Sequence, residues 1–212
     1  KNCLNGKHAN TTIPKFLGAL KRYVVLEQTG ELTKDDEAYL TNVEKFFDIA
    51  VTRHAYITGG VSVMEHFRKD NNQDGTRTQT NCESCCAHNM LKMAKELYKV
   101  TGDKKYADYY ETTLRNSIMG AVKSESGAAA YFIPMATGYF KTFGNEDPVK
   151  NMFWCCTGSG MENFTKLGDS IYFHANDTLI VNQYVSSKVT WEEKNLVVTQ
   201  KSDVTKSDKA TF

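Results

Sequence analysis

The chain has 212 residues, of which 41% are hydrophobic and 24% are charged, and its 26 basic and 25 acidic side chains leave a formal net charge of +1. The apolar share is enough for a buried core, which excludes a wholly disordered chain. The balanced charge gives no long-range field to attract nucleic acid or an anionic membrane, and no run approaches the roughly 18 apolar residues of a membrane-spanning helix. We therefore expect a globular chain with no nucleic-acid or membrane partner.

Both ends of the sequence indicate a piece of a longer protein. The first residues, KNCLNGKHANTTIPK, lack the charged start and apolar core of a signal peptide. The last residues, SDKATF, stop where a β-like stretch begins. We expect these residues on their own to be inactive and poorly soluble.

Apolar residues recur at helical spacing up to about residue 174. Four helices are predicted, over about 14–29, 35–52, 87–100 and 103–122. Pro14 suits the first turn of the first helix, because its missing N–H would be unpaired there anyway. Thr-Gly pairs end the first and third helices at Gly30 and Gly102. Two similar helical hairpins in succession favour a helical toroid or solenoid over a compact bundle.

Two long segments between the helices, 55–82 and 123–157, have no predicted regular structure. Loops of this length in compact domains are usually functional, and these two carry most of the reactive residue types. From about Asn176, alternating apolar and polar residues such as DTLIVNQYVS predict strands separated by turns. The predicted organisation is a mainly helical domain over 1–175 and the start of an all-β module over 176–212.

The cysteines are the most informative residues of the chain. Five of the six lie in the motifs CESCC and WCC, as Cys82, Cys85, Cys86, Cys155 and Cys156. Vicinal cysteines rarely pair without strain, whereas clustered thiols suit a soft metal such as zinc. The remaining cysteine, Cys3, is interpreted as a small buried hydrophobic residue.

Two kinds of metal site fit these motifs. Spacing alone selects Cys82, Cys85, Cys155 and Cys156 as four thiolates, which would form a closed structural site. Glu83, inside the first motif, offers an oxygen ligand and therefore a more open site, which is more often catalytic. Glu83 is equally interpretable as an acidic residue that favours a helix N-terminus.

CESCCAHNMLK and, further along, MFWCCTGSGMENFTKLGDSIYFH resemble motifs of the β-L-arabinofuranosidases of glycoside hydrolase families 127 and 146. HANTTIPK, YITGGVSVMEHF and DTLIVNQYVSSKVTW resemble the same group in the same order, and the pattern is closest to family 146. The resemblance covers nearly the whole chain. It implies the C-terminal part of an (α/α)6 barrel over 1–175, followed by the opening strands of a β-sandwich domain over 176–212.

The resemblance also implies a retaining glycosidase that releases terminal β-L-arabinofuranose from plant-type glycans, with a cysteine nucleophile on Zn2+. Cys155 corresponds to the nucleophile, and Cys85 and Cys156 correspond to zinc ligands. Glu83 corresponds to an acid/base residue that also touches the metal. Cys82 then falls outside the ligand set, contrary to the choice made from spacing.

Four further residues are expected in a sugar site. Glu65, His8 and Tyr131 resemble residues of the family that contact the substrate. His66 lies beside Glu65 and is able to hydrogen-bond sugar hydroxyl groups. We expect a carbohydrate partner, with a homodimer and a cytoplasmic or periplasmic bacterial location as further expectations.

Two other functions fit the same residues. One is a structural zinc module, in which the clustered thiols stabilise loops and no catalysis occurs. The other is a cysteine hydrolase without a metal, in which a histidine activates the thiol.

Overall fold

The computed structural model describes residues 3–143 and 153–212, and the chain divides into two compact units, residues 1–164 and 165–212. The described residues form five α-helices: α1 (Ala9–Thr29), α2 (Glu37–His54), α3 (Ser84–Thr101), α4 (Lys104–Thr113) and α5 (Cys155–Lys166). The four predicted helices are thus confirmed, and α5 is an additional helix that the sequence analysis did not predict.

Helices α1 to α4 share one hydrophobic core, in which α1 packs against α2 and α3, and α3 packs against α4. Aromatic rings meet between α2 and its neighbours. The rings of Phe16 and Phe46 stack with centroids 4.0 Å apart, and the ring of Phe47 meets the edges of Tyr106 and Tyr109 at 4.9 and 5.1 Å. This core supports the start of α3, where the first cysteine motif lies.

Helix α1 begins earlier than the sequence predicts. Its N-cap is His8, whose ring accepts a hydrogen bond from the backbone N–H of Thr11. Pro14 therefore lies in the second turn, where its missing N–H leaves the Asn10 carbonyl without the usual helical donor. The prediction that Pro14 lies in the first turn is wrong, because the His8 side chain caps α1 six residues before Pro14.

The two predicted glycine stops are confirmed. Gly30 and Gly102 follow α1 and α3 with φ angles of 72° and 67°, a left-handed conformation that glycine adopts without strain. The fourth predicted helix is less regular than expected. It is α-helical only to Thr113 and continues as a π-helical turn over Leu114–Ile118 and a 3-10 turn over Met119–Ala121.

The described parts of the long segments between the helices are more ordered than the sequence predicts, and residues 144–152 of the second segment lie outside the described residues. Within 55–82, a 3-10 turn spans Asp74–Thr76, and isolated β-bridges join Val63 to His66 and to Asn81. The segment that begins at residue 123 ends at α5, so that Cys155 and Cys156 lie on the first turn of a helix rather than on a loop.

The second unit contains small antiparallel sheets. Its strands are β1 (Tyr172–Ala175), β2 (Thr178–Val181), β3 (Ser187–Trp191), β4 (Leu196–Ser202) and β5 (Ala210–Thr211). Strands β1 and β2 form a hairpin, and β4 lies between β3 and β5. The predicted strands are confirmed, although β1 begins at Tyr172, before the predicted start near Asn176.

No helix in the described part of the chain is both long enough and apolar enough to cross a membrane.

Candidate active site

The N-termini of α3 and α5 bring the two cysteine motifs together. Among the described residues, the potential metal ligands Glu83, Cys85, Cys155 and Cys156 form one group, with ligand atoms all within 4.8 Å of one another. The Sγ atom of Cys156 lies 3.1 Å from that of Cys85 and 3.9 Å from that of Cys155. The motifs therefore converge on one point, as a single shared ion requires.

Glu83 occupies the N-cap position of α3 but makes no capping hydrogen bond with its side chain. Its backbone N–H donates to Ser62 Oγ at 3.2 Å. Its carboxylate is 1% exposed and turns towards the thiols, with Oε1 4.0 Å from Cys155 Sγ and 3.9 Å from Cys156 Sγ. The other oxygen, Oε2, accepts a hydrogen bond from the thiol of Cys86 at 3.3 Å.

Burial and mutual contacts shift the pKa values of the groups in this cluster. Burial, together with nearby Cys156, raises the pKa of Glu83 to about 7. The hydrogen bond to Cys85 holds the pKa of Cys156 at about 6, while that same bond and burial raise the pKa of Cys85. Burial also raises the pKa of Cys155. One thiolate is thus stabilised at the expense of its neighbours, and a cation among them would favour the ionised form of all.

The donor set fits zinc. Tetrahedral zinc with bonds of about 2.3 Å to sulfur separates its sulfur ligands by about 3.8 Å, and the Sγ separations of 3.1 Å (Cys85–Cys156) and 3.9 Å (Cys155–Cys156) lie on either side of that value. Three thiols and one carboxylate are ligands that zinc accepts. All six cysteines are free thiols, so the ligands are not consumed by disulfides.

Two expectations about the cysteines are wrong. Cys82, selected by spacing, lies outside the ligand group, and its Sγ instead accepts a hydrogen bond from the Thr58 hydroxyl at 3.7 Å. The reason is its backbone, because a φ of 53° just before the α3 N-cap turns Cys82 away from the site. Cys3, expected to be buried, is exposed.

The residues expected to contact sugar lie next to Cys155. The Tyr131 hydroxyl donates a hydrogen bond to Glu65 Oε1 and lies 3.6 Å from Cys155 Sγ. The other Glu65 oxygen is 3.5 Å from His8 Nε2, and the ring of His66 is 5.0 Å from that of His8. The four residues therefore form a continuous row that leads from Cys155 to the start of α1.

Backbone contacts hold this row against the cysteine motifs. Glu65 has a left-handed φ of 64°, and its carbonyl accepts the N–H of Ala9 at 2.7 Å. The carbonyl of Tyr131 accepts the N–H of Ser84, one of the donors that the start of α3 leaves without a helical partner. The sugar-side residues are thus bonded to the starts of α1 and α3, and the start of α3 also carries the metal-side residues Glu83 and Cys85.

The site has a buried side and an open side. Glu83, Cys85 and Cys156 are buried, whereas Cys155 is exposed and the side chain of Glu65 is 36% exposed. A ligand approaching from solvent therefore meets Cys155 and the row of polar side chains before it reaches the other thiols.

The chain also matches a known protein family. The model of the GH127 β-L-arabinofuranosidase catalytic domain matches residues 1–169. The chain belongs to this family. The match gives no support to a closer likeness to family 146.

Solved structures resemble this GH127 chain over 92% of its residues. They include a GH127 β-arabinofuranosidase at 25% identity and a TM-score of 0.73. A second structure, described as a glycoside hydrolase, shares 18% identity at a TM-score of 0.73. A third is a GH127 β-L-arabinofuranosidase from Geobacillus stearothermophilus T6, at 19% identity and a TM-score of 0.68.

The chain spans only 29%, 35% and 31% of the lengths of these three structures. A sequence search of curated proteins gave no significant match.

The structure of this GH127 chain also reveals supporting residues that the sequence analysis missed. Ser159 Oγ lies 2.8 Å from Cys85 Sγ and donates to the carbonyl of Cys155. His88 Nδ1 on α3 lies 2.7 Å from Asn163 Oδ1 on α5, and both residues are buried. The only available sequence signal was the helical spacing between Cys155, Ser159 and Asn163, which has no meaning until α5 is known to be a helix.

Proposed function

We propose that this chain carries the catalytic centre of a retaining glycoside hydrolase that releases terminal β-L-arabinofuranose from arabinofuranose-containing, plant-type glycans. Membership of the GH127 family supports the substrate class. The observation that carries the mechanism is the position of Cys155, an exposed thiol that borders both the buried ligand group and the row of polar side chains.

The metal that fits is zinc, held by Glu83, Cys85, Cys155 and Cys156. When bound, it would neutralise the charge of these groups and keep the thiols deprotonated at neutral pH. The burial of Glu83, Cys85 and Cys156 supports a site that retains its ion, and the exposure of Cys155 supports a site that does more than stabilise the fold.

The reaction begins with attack of the Cys155 thiolate on the anomeric carbon. A carbon–sulfur bond forms as the glycosidic carbon–oxygen bond breaks, and a carboxylic acid gives its proton to the leaving oxygen. Water then attacks the same carbon, loses a proton to the carboxylate, and displaces the sulfur. Two displacements at one carbon release the sugar with its original configuration.

Two carboxylates are candidates for the acid/base role. The family resemblance implies Glu83, which would have to leave the metal and turn to the leaving oxygen when substrate binds. Its burial and its contacts with Cys155, Cys156 and Cys86 oppose such a movement. Glu65 needs no such movement, because its side chain is partly exposed and is joined through Tyr131 to the neighbourhood of Cys155. The geometry therefore supports Glu65 in this role and Glu83 as a metal ligand.

Hydrolysis of nitrophenyl β-L-arabinofuranoside by the full-length protein, with zinc content measured in parallel, tests the proposal. We expect Cys155→Ser to reduce kcat/KM by at least about 1,000-fold, as loss of a nucleophile does. Absence of sugar release by the zinc-loaded protein would contradict the enzymatic function and favour a structural zinc module.

The same assay separates the two carboxylates. If Glu65 is the acid/base, Glu65→Gln keeps its zinc and loses most activity on a glycan, while the nitrophenyl substrate, whose leaving group needs little protonation, is less affected. Glu83→Gln then loses zinc together with activity. The opposite assignment predicts that Glu83→Gln retains zinc and shows the dependence on the leaving group.

We also propose that 1–175 forms the C-terminal part of an (α/α)6 barrel and that 176–212 opens a β-sandwich domain. The likeness to solved GH127 structures over 92% of this chain supports this organisation.

A further inference from the structure

The two oxygens of the Glu83 carboxylate have different surroundings. Oε1 faces the thiols of Cys155 and Cys156, at 4.0 and 3.9 Å. Oε2 instead accepts the thiol hydrogen of Cys86 at 3.3 Å. Cys86 is fully buried and lies outside the group of potential metal ligands found among the described residues. Oε1 of the carboxylate is thus directed at the potential metal ligands, and Oε2 is hydrogen-bonded to Cys86.

The start of α3 explains why Cys86 is available for this contact. An N-cap side chain usually accepts the N–H of the residue three positions later, which here is Cys86. In this helix the backbone N–H of Cys86 bonds to the main-chain carbonyl of Glu83 at 3.0 Å, and the Glu83 side chain makes no capping bond. The carboxylate therefore makes no hydrogen bond to the end of the helix, and the Cys86 thiol donates to its Oε2 atom.

We propose that Cys86 is a positioning residue that holds Glu83 with a single oxygen directed at the metal. The inference rests on the proposed function, because it assumes that Glu83 is a ligand. Hydrogen bonds from outer residues orient carboxylate ligands in metal sites, and their loss typically weakens metal binding by about 10- to 100-fold. Without the Cys86 thiol, both oxygens of Glu83 are free to rotate towards the ion.

Three variants of the full-length protein test this role. Cys86→Ala removes the donor, and Cys86→Ser keeps a hydrogen-bond donor at the same place. Cys82→Ala is the matched control, because it removes a buried thiol from the same motif that contacts Thr58 rather than Glu83. Zinc affinity is measured by competition with a chromophoric chelator. The absorption spectrum of the cobalt-substituted protein reports the coordination geometry.

We expect Cys86→Ala to bind zinc about 10- to 100-fold more weakly and to change the cobalt spectrum. Cys86→Ser should recover most of the affinity and the original spectrum, and Cys82→Ala should retain both. In a Glu83→Gln background, Cys86→Ala should cause little further loss, because it acts only through that carboxylate.

Other results would overturn the inference. An unchanged affinity and spectrum in Cys86→Ala would show that Cys86 does not position Glu83, and an equal loss in Cys82→Ala would indicate a general effect of core packing. Loss of a thiolate band in Cys86→Ser would make Cys86 itself a ligand. A parent protein that binds no zinc would overturn the proposed function together with this inference. If the parent protein binds zinc and Cys86→Ala changes neither the zinc affinity nor the cobalt spectrum, the inference alone is overturned.

Discussion

The side chains of Cys85 and Cys156 are 71 residues apart in the sequence and meet with their Sγ atoms 3.1 Å apart. Each lies in the first turn of its helix, Cys85 in α3 and Cys156 in α5. The site therefore depends on the way these two helix N-termini are held together.

The first prediction concerns metal retention. Cys156→Ala should reduce the zinc content of the purified protein to a small fraction, because it removes a buried ligand from the centre of the group. Cys82→Ala should retain zinc at the level of the parent protein. The measurement is elemental analysis after dialysis against a weak chelator. Equal zinc in Cys156→Ala and the parent protein would show that the cluster is not the metal site.

The second prediction concerns the contact between α3 and α5. Asn163→Ala removes the partner of His88 Nδ1, and loss of one partner in a buried hydrogen bond costs about 1–3 kcal/mol. We expect a lower free energy of unfolding together with weaker zinc binding, because α5 also carries Cys155 and Cys156.

A control for this effect lies one residue further along α3. Asn89 Nδ2 donates to Asn10 Oδ1 on α1 at 2.8 Å, so that Asn89→Ala weakens the attachment of α3 to α1 and leaves its contact with α5 intact. Zinc affinity should be close to that of the parent protein in this variant. Equal losses of zinc affinity in Asn89→Ala and Asn163→Ala would contradict a specific role for the contact with α5.

The third prediction uses two glycines of α5. A Cβ atom at Gly160 would lie 2.5 Å from the Cβ of Ala129, so Gly160→Ala must displace either the helix or the segment that carries Ala129. We expect a loss of stability of about 1–3 kcal/mol and weaker zinc binding. Gly158→Ala meets no heavy atom within 4 Å among the described residues and should stabilise α5 by up to about 1 kcal/mol.

Urea unfolding and zinc competition of both glycine variants test this prediction. If Gly160→Ala were as stable as Gly158→Ala and bound zinc equally well, the close approach of α5 to Ala129 would not contribute to the site.

The fourth prediction concerns pH and His54 at the end of α2. Burial lowers the pKa of His54, and the nearby Asp70 opposes this effect only in part. A folded-state pKa below the unfolded value means that the unfolded chain binds more protons, so the stability contributed by neutral His54 is complete above about pH 6.5 and is lost as the pH falls through the lower folded value. For one proton, the slope is at most about 1.4 kcal/mol per pH unit.

Urea unfolding of chelator-treated protein between pH 7.5 and pH 5 measures this slope without a contribution from metal release. His54→Gln should make the dependence on pH less steep in this range. An equal slope in the parent protein and in the variant would assign the pH dependence to other groups.

The sequence identified the site because its chemistry lies in short motifs. Cys85, Cys155 and Cys156 were expected as ligands from their spacing, and Glu83 was an alternative ligand from the same motif that the family resemblance selected; the structure places all four ligand atoms together. What spacing could not predict was the backbone conformation of Cys82. Cys82 has a left-handed φ of 53°, and its thiol contacts Thr58 instead of the other thiols. Glu83 is therefore the fourth member of the ligand group.

Helix α5 was missed for a related physical reason. Its sequence, CCTGSGMENFTK, contains two glycines and few strong helix formers, so its intrinsic preference for a helix is weak. Contacts with the rest of the fold compensate, including the pair of His88 with Asn163 and the close packing of Gly160 against Ala129. The residues that make these contacts are distant in the sequence, so no local sequence pattern predicts them.

The most direct test of the account is to look for the bond between sulfur and sugar. The protein is mixed with an arabinofuranoside that has a very good leaving group, denatured rapidly with acid, and digested for mass spectrometry of the peptide that contains Cys155. We predict a mass increase of one pentose residue on Cys155 that is absent in Cys155→Ser and disappears as the substrate is exhausted. Rapid turnover with an unmodified Cys155, or with the pentose on a carboxylate such as Glu65, would contradict the account.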